Sequence, residues 1–167
     1  MTVEIAKGDL LEQRVDAIVN TVNTVGVMGK GIALVFKTAF PHNFRVYAEA
    51  CKNRTLVPGK LLAVRDTSLL YGEKLVINFP TKTDWRLPSE YAYVEQGLNA
   101  LAALIQEQNI KSIAIPALGC GNGGLDWVKV KDMIYAKLQN LQTTIHLYGP
   151  QLSLIEKKKI GQPGRRL

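Results

Sequence analysis

The chain has 167 residues, 47% of them apolar, which is enough to form the core of one domain. No apolar run approaches the roughly 18 residues that a membrane span needs, and residues 1–4 lack the features of a signal peptide. The two cysteines, Cys51 and Cys120, argue against a disulfide framework. Composition therefore predicts a cytoplasmic globular protein without a membrane partner.

The net charge of +7 is concentrated at the end of the chain. Residues 151–167 hold five Lys or Arg and one Glu, a net charge of +4, which leaves +3 for the first 150 residues. Basic tails often bind nucleic acid, but they are more often solvated linkers. We therefore expect a domain over residues 1–150, followed by a basic tail or the start of a linker over residues 151–167.

Hydrophobic periodicity predicts strands and helices that alternate along the chain. The predicted elements are strands over 2–6 and 17–20, helices over 29–40 and 43–52, strands over 60–65 and 75–79 with a turn at 71–73 between them, a helix that opens at Pro88, a strand over 112–117, a helix from Asp126 to about residue 140, and a strand over 143–148. This alternation predicts an α/β domain with three layers and a mostly parallel sheet.

Two glycine-rich loops each follow a predicted strand and lead into a helix. The first lies within residues 19–33 and the second within residues 115–126. Glycine allows a backbone to approach a ligand closely, and a helix N-terminus presents free N–H groups to phosphate. Two such loops at one cleft predict a diphosphate site. The alternative is that the glycines only make turns.

Neither loop fits the commonest nucleotide-binding motifs. A P-loop has Ser or Thr directly after Gly-Lys, and another glycine five residues before the glycine of that pair. Here Gly31 follows Gly29-Lys30, and Thr24 stands five residues before Gly29. The dinucleotide fingerprint needs a third glycine where Leu34 stands. The two loops therefore do not support an ATPase or a nicotinamide-dependent dehydrogenase.

Lys82 follows the predicted strand over 75–79 and is the most interesting candidate for chemistry. A lysine at this edge of a parallel sheet can bind phosphate, or attack a sugar carbon if its pKa is lowered. Trp85 and Arg86 can stack on a base and contact a phosphate. Each of the three residues also has a purely structural interpretation: Lys82 and Arg86 can be solvated surface residues, and Trp85 can pack against the protein.

The remaining candidates are weaker when taken from the residues alone. Asp9 can accept a hydrogen bond from an adenine amino group, and Asn23 suits ribose hydroxyls or its own loop. His42 and His146 are expected to be structural, and Cys120 to be a small packed residue. Two histidines and two distant cysteines predict no metal site.

Several segments together resemble a macrodomain, and the resemblance covers nearly all of residues 1–150. They read GDL at 8–10, VDAIVNTVN at 15–23, GKGIA at 29–33 and GCG at 119–121. VNTVGVMGKG at 22–31, NFPTK at 78–82 and GNGGLDW at 121–127 are similar to the DarG type, which is related to the terminal ADP-ribose protein glycohydrolase. The resemblance implies a three-layer α/β/α sandwich with a mixed, mostly parallel sheet.

The resemblance also implies roles for individual residues around bound ADP-ribose. Lys82 would act at the anomeric carbon of the distal ribose, Asp126 is a second catalytic candidate, and Trp85 and Arg86 are candidate DNA contacts. Asp9 and the Leu10 amide would hold adenine, and Asn23 the distal ribose. The remaining expected substrate-binding residues are Asn20 and the loop residues Gly29, Lys30, Gly31, Ile32, Gly119, Cys120, Gly121, Asn122 and Gly123. No metal or other cofactor is implied.

A DarG-type macrodomain removes ADP-ribose from bases of single-stranded DNA and counteracts a DNA ADP-ribosyltransferase toxin. The resemblance therefore implies two partners, ADP-ribosylated single-stranded DNA and the toxin, the latter through a C-terminal region outside residues 1–150. Two alternatives remain at this stage. One is hydrolysis of ADP-ribose 1″-phosphate or of an ADP-ribosyl ester on protein, and the other is a non-catalytic ADP-ribose-binding module.

Overall fold

The computed structural model of the protein describes residues 2–150, so the predicted basic tail lies outside the described residues. The strands are β1 (Thr2–Ala6), β2 (Ala17–Val22), β3 (Leu62–Ser68), β4 (Gly72–Pro80), β5 (Ser112–Ile115) and β6 (Thr144–Tyr148). The α-helices are α1 (Gly31–Ala39), α2 (Pro41–Lys52), α3 (Tyr91–Glu107) and α4 (Trp127–Leu138). Short 3-10 helices span Leu10–Glu12 and Gly121–Gly123.

The six strands form one sheet in the order β1-β6-β5-β2-β4-β3. Five strands run parallel, and β3 pairs antiparallel with β4. The predicted mixed, mostly parallel sheet is therefore confirmed. Strands β2 and β4 lie in its interior, and their nearly continuous burial is typical of strands covered on both faces.

Helices cover both faces of the sheet, which gives the predicted three layers. Successive residues of β2 point to opposite faces, as the pleat requires. Val19 packs in the cluster that contains the buried residues of α3 and α4. Ile18 packs in the cluster that contains Phe36 of α1. The helical stripe read from the sequence, Val94, Leu98, Leu101 and Ile105, is buried in the first of these clusters.

Some predicted boundaries differ from the structure for local reasons. Helix α3 begins at Tyr91, three residues after Pro88, because the backbone of its N-cap residue Glu90 is extended, with φ −126° and ψ 140°. Strand β5 ends at Ile115, and the Pro116 that follows has no N–H with which to extend the ladder. The turn predicted at 71–73 lies at residues 69–71, since β4 begins at Gly72.

Candidate active site

A cleft of about 620 Å³ opens at the carboxyl ends of the parallel strands. Three segments form most of it: residues 23–31 after β2 (the first glycine loop), residues 81–90 after β4 (the lysine loop) and residues 118–125 after β5 (the second glycine loop). Residues that follow β1 and β6 close the other end. The predicted convergence of the three segments is confirmed, as expected for a parallel sheet.

The first glycine loop is held by the side chain of Asn23. Its Oδ1 accepts hydrogen bonds from the amides of Val25 and Val27 at 3.1 and 3.3 Å. Its Nδ2 donates to the Val27 carbonyl at 2.7 Å. The hydroxyl of the fully buried Tyr47 donates a hydrogen bond to the Asn23 carbonyl. Asn23 therefore braces its own loop, which was one of the two roles its side chain allowed.

Two hydrogen bonds join the first glycine loop to the lysine loop. The Thr83 carbonyl accepts from the amide of Thr24 at 3.1 Å and from its hydroxyl at 3.0 Å. The loop that can grip phosphate and the segment that carries Lys82 therefore form one wall of the cleft.

Lys82 lies at the end of β4, on the wall of the cleft, and is partly buried. Desolvation lowers the pKa of its ammonium group, and repulsion from the charge of Lys30 lowers that pKa further. Both causes act in the direction that nucleophilic use of a lysine requires. Lys30 itself stands over the ring of Trp85, with its Nζ 5.9 Å from the ring centroid.

The second glycine loop is packed closely against the lysine loop through Ser89. The Ser89 amide donates to the Gly123 carbonyl at 3.0 Å. A Cβ at Gly123 would lie 2.3 Å from the Ser89 hydroxyl oxygen, so only glycine fits there. Gly119, with a φ of +72°, also needs glycine for its left-handed backbone. The glycines thus do more than make turns.

Most of the predicted site residues line this cleft together. They are Leu10, Asn23, Gly29, Lys30, Gly31, Ile32, Lys82, Trp85, Gly119, Cys120, Gly121, Asn122 and Gly123. Asp9, Asn20, Arg86 and Asp126 are not among the lining residues.

Asp9 and Asn20 lie just behind the cleft wall. One carboxylate oxygen of Asp9 accepts from the Leu11 amide at 2.9 Å and caps the first 3-10 helix. Asn20 is completely buried on β2, where its Nδ2 lies 3.8 Å from the Met28 sulfur. The Oδ1 of Asn20 has no hydrogen-bond partner within residues 2–150.

Arg86 and Asp126 have partners of their own. Arg86 makes a bidentate pair with Asp84, at 2.9 and 2.7 Å, and these contacts hold the pKa of the Asp84 carboxyl near 2. Asp126 is the N-cap of α4, as the sequence predicted, and accepts from the Val128 amide at 3.2 Å. The carboxylates of Asp84 and Asp126 therefore stabilise local structure.

Cys120 and His146 were expected to be structural, and their surroundings agree. Burial, aided by the charge of Asp126, raises the pKa of the Cys120 thiol to about 11, so the thiol stays protonated at neutral pH. His146 pairs with Glu4 across β1 and β6, with 3.2 Å between Nδ1 and Oε2. Residues 2–150 contain no group of three or more His, Cys, Asp or Glu able to hold a metal ion.

Tyr148 and Ser89 are among the cleft residues that sequence reasoning missed. Tyr148, at the end of β6, lines the cleft, and its hydroxyl donates to Gln13 at 2.6 Å. Ser89 lines it from the lysine loop. Tyr148 had a usable signal, since it ends a strand of a parallel sheet. Ser89 had none, because its position depends on packing against the second glycine loop.

The family model described as the Macro domain matches residues 19–134 of the chain. The chain belongs to the macrodomain family. No α-helix among residues 2–150 is long and apolar enough to cross a bilayer. The macrodomain family predicted from the sequence is thus confirmed.

Curated relatives of this macrodomain carry a specific enzyme name. "DNA ADP-ribosyl glycohydrolase" of Mycobacterium tuberculosis is 52% identical over 134 residues, 80% of this chain and 38% of that protein. The protein of the same name from Thermus aquaticus is 49% identical over 145 residues, 86% of this chain and 40% of that protein. This chain thus spans about two fifths of the length of these curated relatives.

Solved structures give the same neighbours. The macrodomain of Mycobacterium tuberculosis DarG superposes with a TM-score of 0.86 at 46% identity, covering 90% of this chain and 99% of that one. Thermosipho africanus DarTG in complex with ADP-ribose superposes with a TM-score of 0.83 at 33% identity, covering 93% of this chain and 44% of that one. The resemblance to the DarG type is therefore confirmed in sequence and in structure.

Proposed function

We propose that this macrodomain is a DNA ADP-ribosyl glycohydrolase that removes ADP-ribose from bases of single-stranded DNA. The position of Lys82 carries the proposal. This residue lines the same cleft as the two glycine loops, and both burial and Lys30 lower the pKa of its amine. The names of the curated relatives and the ADP-ribose complex of a related structure support the same substrate.

ADP-ribose fits the order of the strands around the cleft. The two glycine loops follow the neighbouring strands β2 and β5 and would wrap the diphosphate with backbone N–H groups. Adenine would lie towards β1 and β6, near Leu10 and Tyr148, where Asp9 has a second carboxylate oxygen for the amino group. The distal ribose would then reach the end of β4, where Lys82 stands.

The reaction follows from an amine held at the anomeric carbon. The neutral Lys82 Nζ forms a bond to that carbon as the bond to the DNA base breaks, and the leaving base takes up the proton that the new ammonium group loses. Water then adds to the same carbon, the bond to Nζ breaks, and ADP-ribose is released with the lysine restored. The grip on the diphosphate supplies the positioning. No metal or cofactor takes part in these steps.

Trp85 is the residue that we assign to the DNA next to the modified base. Its side chain is 48% exposed at the rim of the cleft, and a tryptophan face is a good stacking surface for an unpaired base. Arg86, whose guanidinium lies 5.5 Å from the Trp85 ring, is bound to Asp84. Its contribution to DNA binding would therefore be to hold Trp85 rather than to grip a phosphate.

We also propose that the whole protein acts as an antitoxin to a DNA ADP-ribosyltransferase. A curated relative from Thermosipho africanus is named as a fusion of the transferase and the glycohydrolase, with 38% identity over 160 residues. The enzyme would reverse the toxin's modification at the cleft. A direct contact with the toxin would involve sequence outside the macrodomain.

A panel of ADP-ribose conjugates tests the substrate class. The panel comprises a single-stranded oligonucleotide with one ADP-ribosylated base, its duplex form, ADP-ribose 1″-phosphate and a protein carrying an ADP-ribosyl ester. We expect ADP-ribose release from the single-stranded oligonucleotide to be fastest. Turnover of the phosphate or the ester alone would indicate the other hydrolase, and tight ADP-ribose binding without any turnover would indicate a binding module.

A further inference from the structure

Ser89 has a buried hydroxyl group without a hydrogen-bond partner in the described part of the chain. The residue is 5% exposed, and its Oγ has no hydrogen-bond partner within residues 2–150. The other buried side-chain atom in this state is Oδ1 of Asn20, which does not line the cleft. Ser89 does line it. An unpaired buried hydroxyl destabilises a fold, so its presence at a ligand cleft calls for a partner that arrives with the ligand.

The surroundings of Ser89 give its hydroxyl a defined place. Its amide is bonded to the Gly123 carbonyl, and the next amide, that of Glu90, donates to the Thr81 carbonyl at 3.4 Å. Thr81 directly precedes Lys82. Ser89 is therefore fixed between the loop that would grip the diphosphate and the base of the lysine loop.

The strand order decides which part of the ligand lies there. Adenine is assigned to the end of the cleft next to β1 and β6, which lie on the far side of β5 and β2 from β4. Lys82 follows β4, at the end of the cleft that would hold the distal ribose, and the bond from the Glu90 amide to the Thr81 carbonyl keeps Ser89 close to Lys82. A ribose hydroxyl can donate or accept a hydrogen bond, so it can pair with the serine hydroxyl whichever of the two is the donor.

We propose that Ser89 is a further substrate-binding residue, whose hydroxyl bonds a hydroxyl of the distal ribose and orients that sugar at Lys82. The inference rests on the proposed function, since it requires ADP-ribose in the cleft. The Oγ now faces Gly123, and rotation about χ1 to another staggered position turns it towards the ligand. Binding thus gives the hydroxyl a partner that residues 2–150 do not supply.

The test compares ADP-ribose with ADP, which lacks the distal ribose. Calorimetric titration of wild type and Ser89→Ala with both ligands is combined with thermal unfolding of the free proteins. We expect Ser89→Ala to raise the Kd for ADP-ribose several-fold, up to about tenfold, because one hydrogen bond is lost. The Kd for ADP should not change, and Tm should stay the same or rise, because alanine leaves no unpaired group.

Ser68→Ala is the matched control. Ser68 is also buried, but its hydroxyl accepts from the amides of Leu70 and Tyr71 at 3.3 Å, at the end of the sheet opposite the cleft. This variant should lower Tm without changing either Kd. The inference is overturned if Ser89→Ala binds ADP-ribose like wild type, or weakens ADP equally, or lowers Tm as Ser68→Ala does. Failure of the wild type to bind ADP-ribose would instead contradict the proposed function itself.

Discussion

The hydroxyl of Tyr47 lies 2.8 Å from the backbone oxygen of Asn23 and 3.0 Å from its side-chain Oδ1. Tyr47 is on α2 and is fully buried, whereas Asn23 begins the first glycine loop. Burial raises the pKa of Tyr47, so its hydroxyl remains a neutral donor. One helix side chain therefore fixes the loop that would hold the diphosphate.

Removing that hydroxyl should loosen the loop. Tyr47→Phe leaves two buried oxygens of Asn23 without this donor, and we expect a loss of about 1–2 kcal/mol in the free energy of unfolding. ADP-ribose binding should weaken as well, because the loop must then be ordered by the ligand. Urea denaturation and calorimetric titration measure the two effects. Tyr135→Phe, an exposed position on α4, is the control, and equal behaviour of the two variants would contradict this role of Tyr47.

The charge of Lys30 should contribute to the pH dependence of the proposed reaction. Lys30 helps to lower the pKa of Lys82, so Lys30→Gln should raise that pKa and leave less neutral amine at a given pH. The acidic limb of the kcat profile, measured at saturating substrate, should therefore move to higher pH. Lys37→Gln changes a lysine that lies over the Phe44 ring and does not line the cleft. An unshifted limb in Lys30→Gln would argue that Lys82 does not act as a neutral nucleophile.

Asp126 can be tested separately as a cap and as an acid. Asparagine caps helices about as well as aspartate but carries no charge. Since Asp126 caps α4 and does not line the cleft, Asp126→Asn should retain both stability and most of the activity. Asp126→Ala should lose about 0.5–2 kcal/mol of stability. A large fall in kcat for Asp126→Asn with an unchanged Tm would mean that its charge takes part in the reaction.

Gly97 allows α3 to approach β4 closely. A Cβ at this position would lie 2.2 Å from the Phe79 ring, which is fully buried. Gly97→Ala should therefore destabilise the domain by about 1–3 kcal/mol or more, despite the higher helix propensity of alanine. Asn99→Ala, at an exposed position on the same helix, should be neutral or slightly stabilising. Similar unfolding curves for the two variants would contradict the predicted clash.

Much of the fold could be predicted because local patterns and tertiary burial agree. The stripe from Val94 to Ile105 has helical spacing, and β2 and β5 are short apolar runs followed by glycine loops. The position of Lys82 at the cleft followed from one topological rule, that ligands lie beyond the carboxyl ends of parallel strands.

Other features depend on contacts that periodicity does not contain. Ser89 reads as part of a helix start, yet its amide bonds to Gly123, which is distant in sequence. Arg86 reads as a free cation, but its pair with Asp84 depends on the local shape of the lysine loop. For Asn23 the sequence left two roles open, binding a ribose or bracing its own loop. The hydrogen bond from Tyr47, which is distant in sequence, helps to hold the Asn23 side chain in the bracing role.

The proposed reaction depends on the amine of Lys82. The most direct measurement is ADP-ribose release from a single-stranded oligonucleotide carrying one ADP-ribosylated base, with wild type and Lys82→Ala compared at equal ADP-ribose occupancy, checked by calorimetry. We predict release by wild type and none by Lys82→Ala, with ADP-ribose binding retained in both. Release by Lys82→Ala at a rate near that of wild type would contradict the claim.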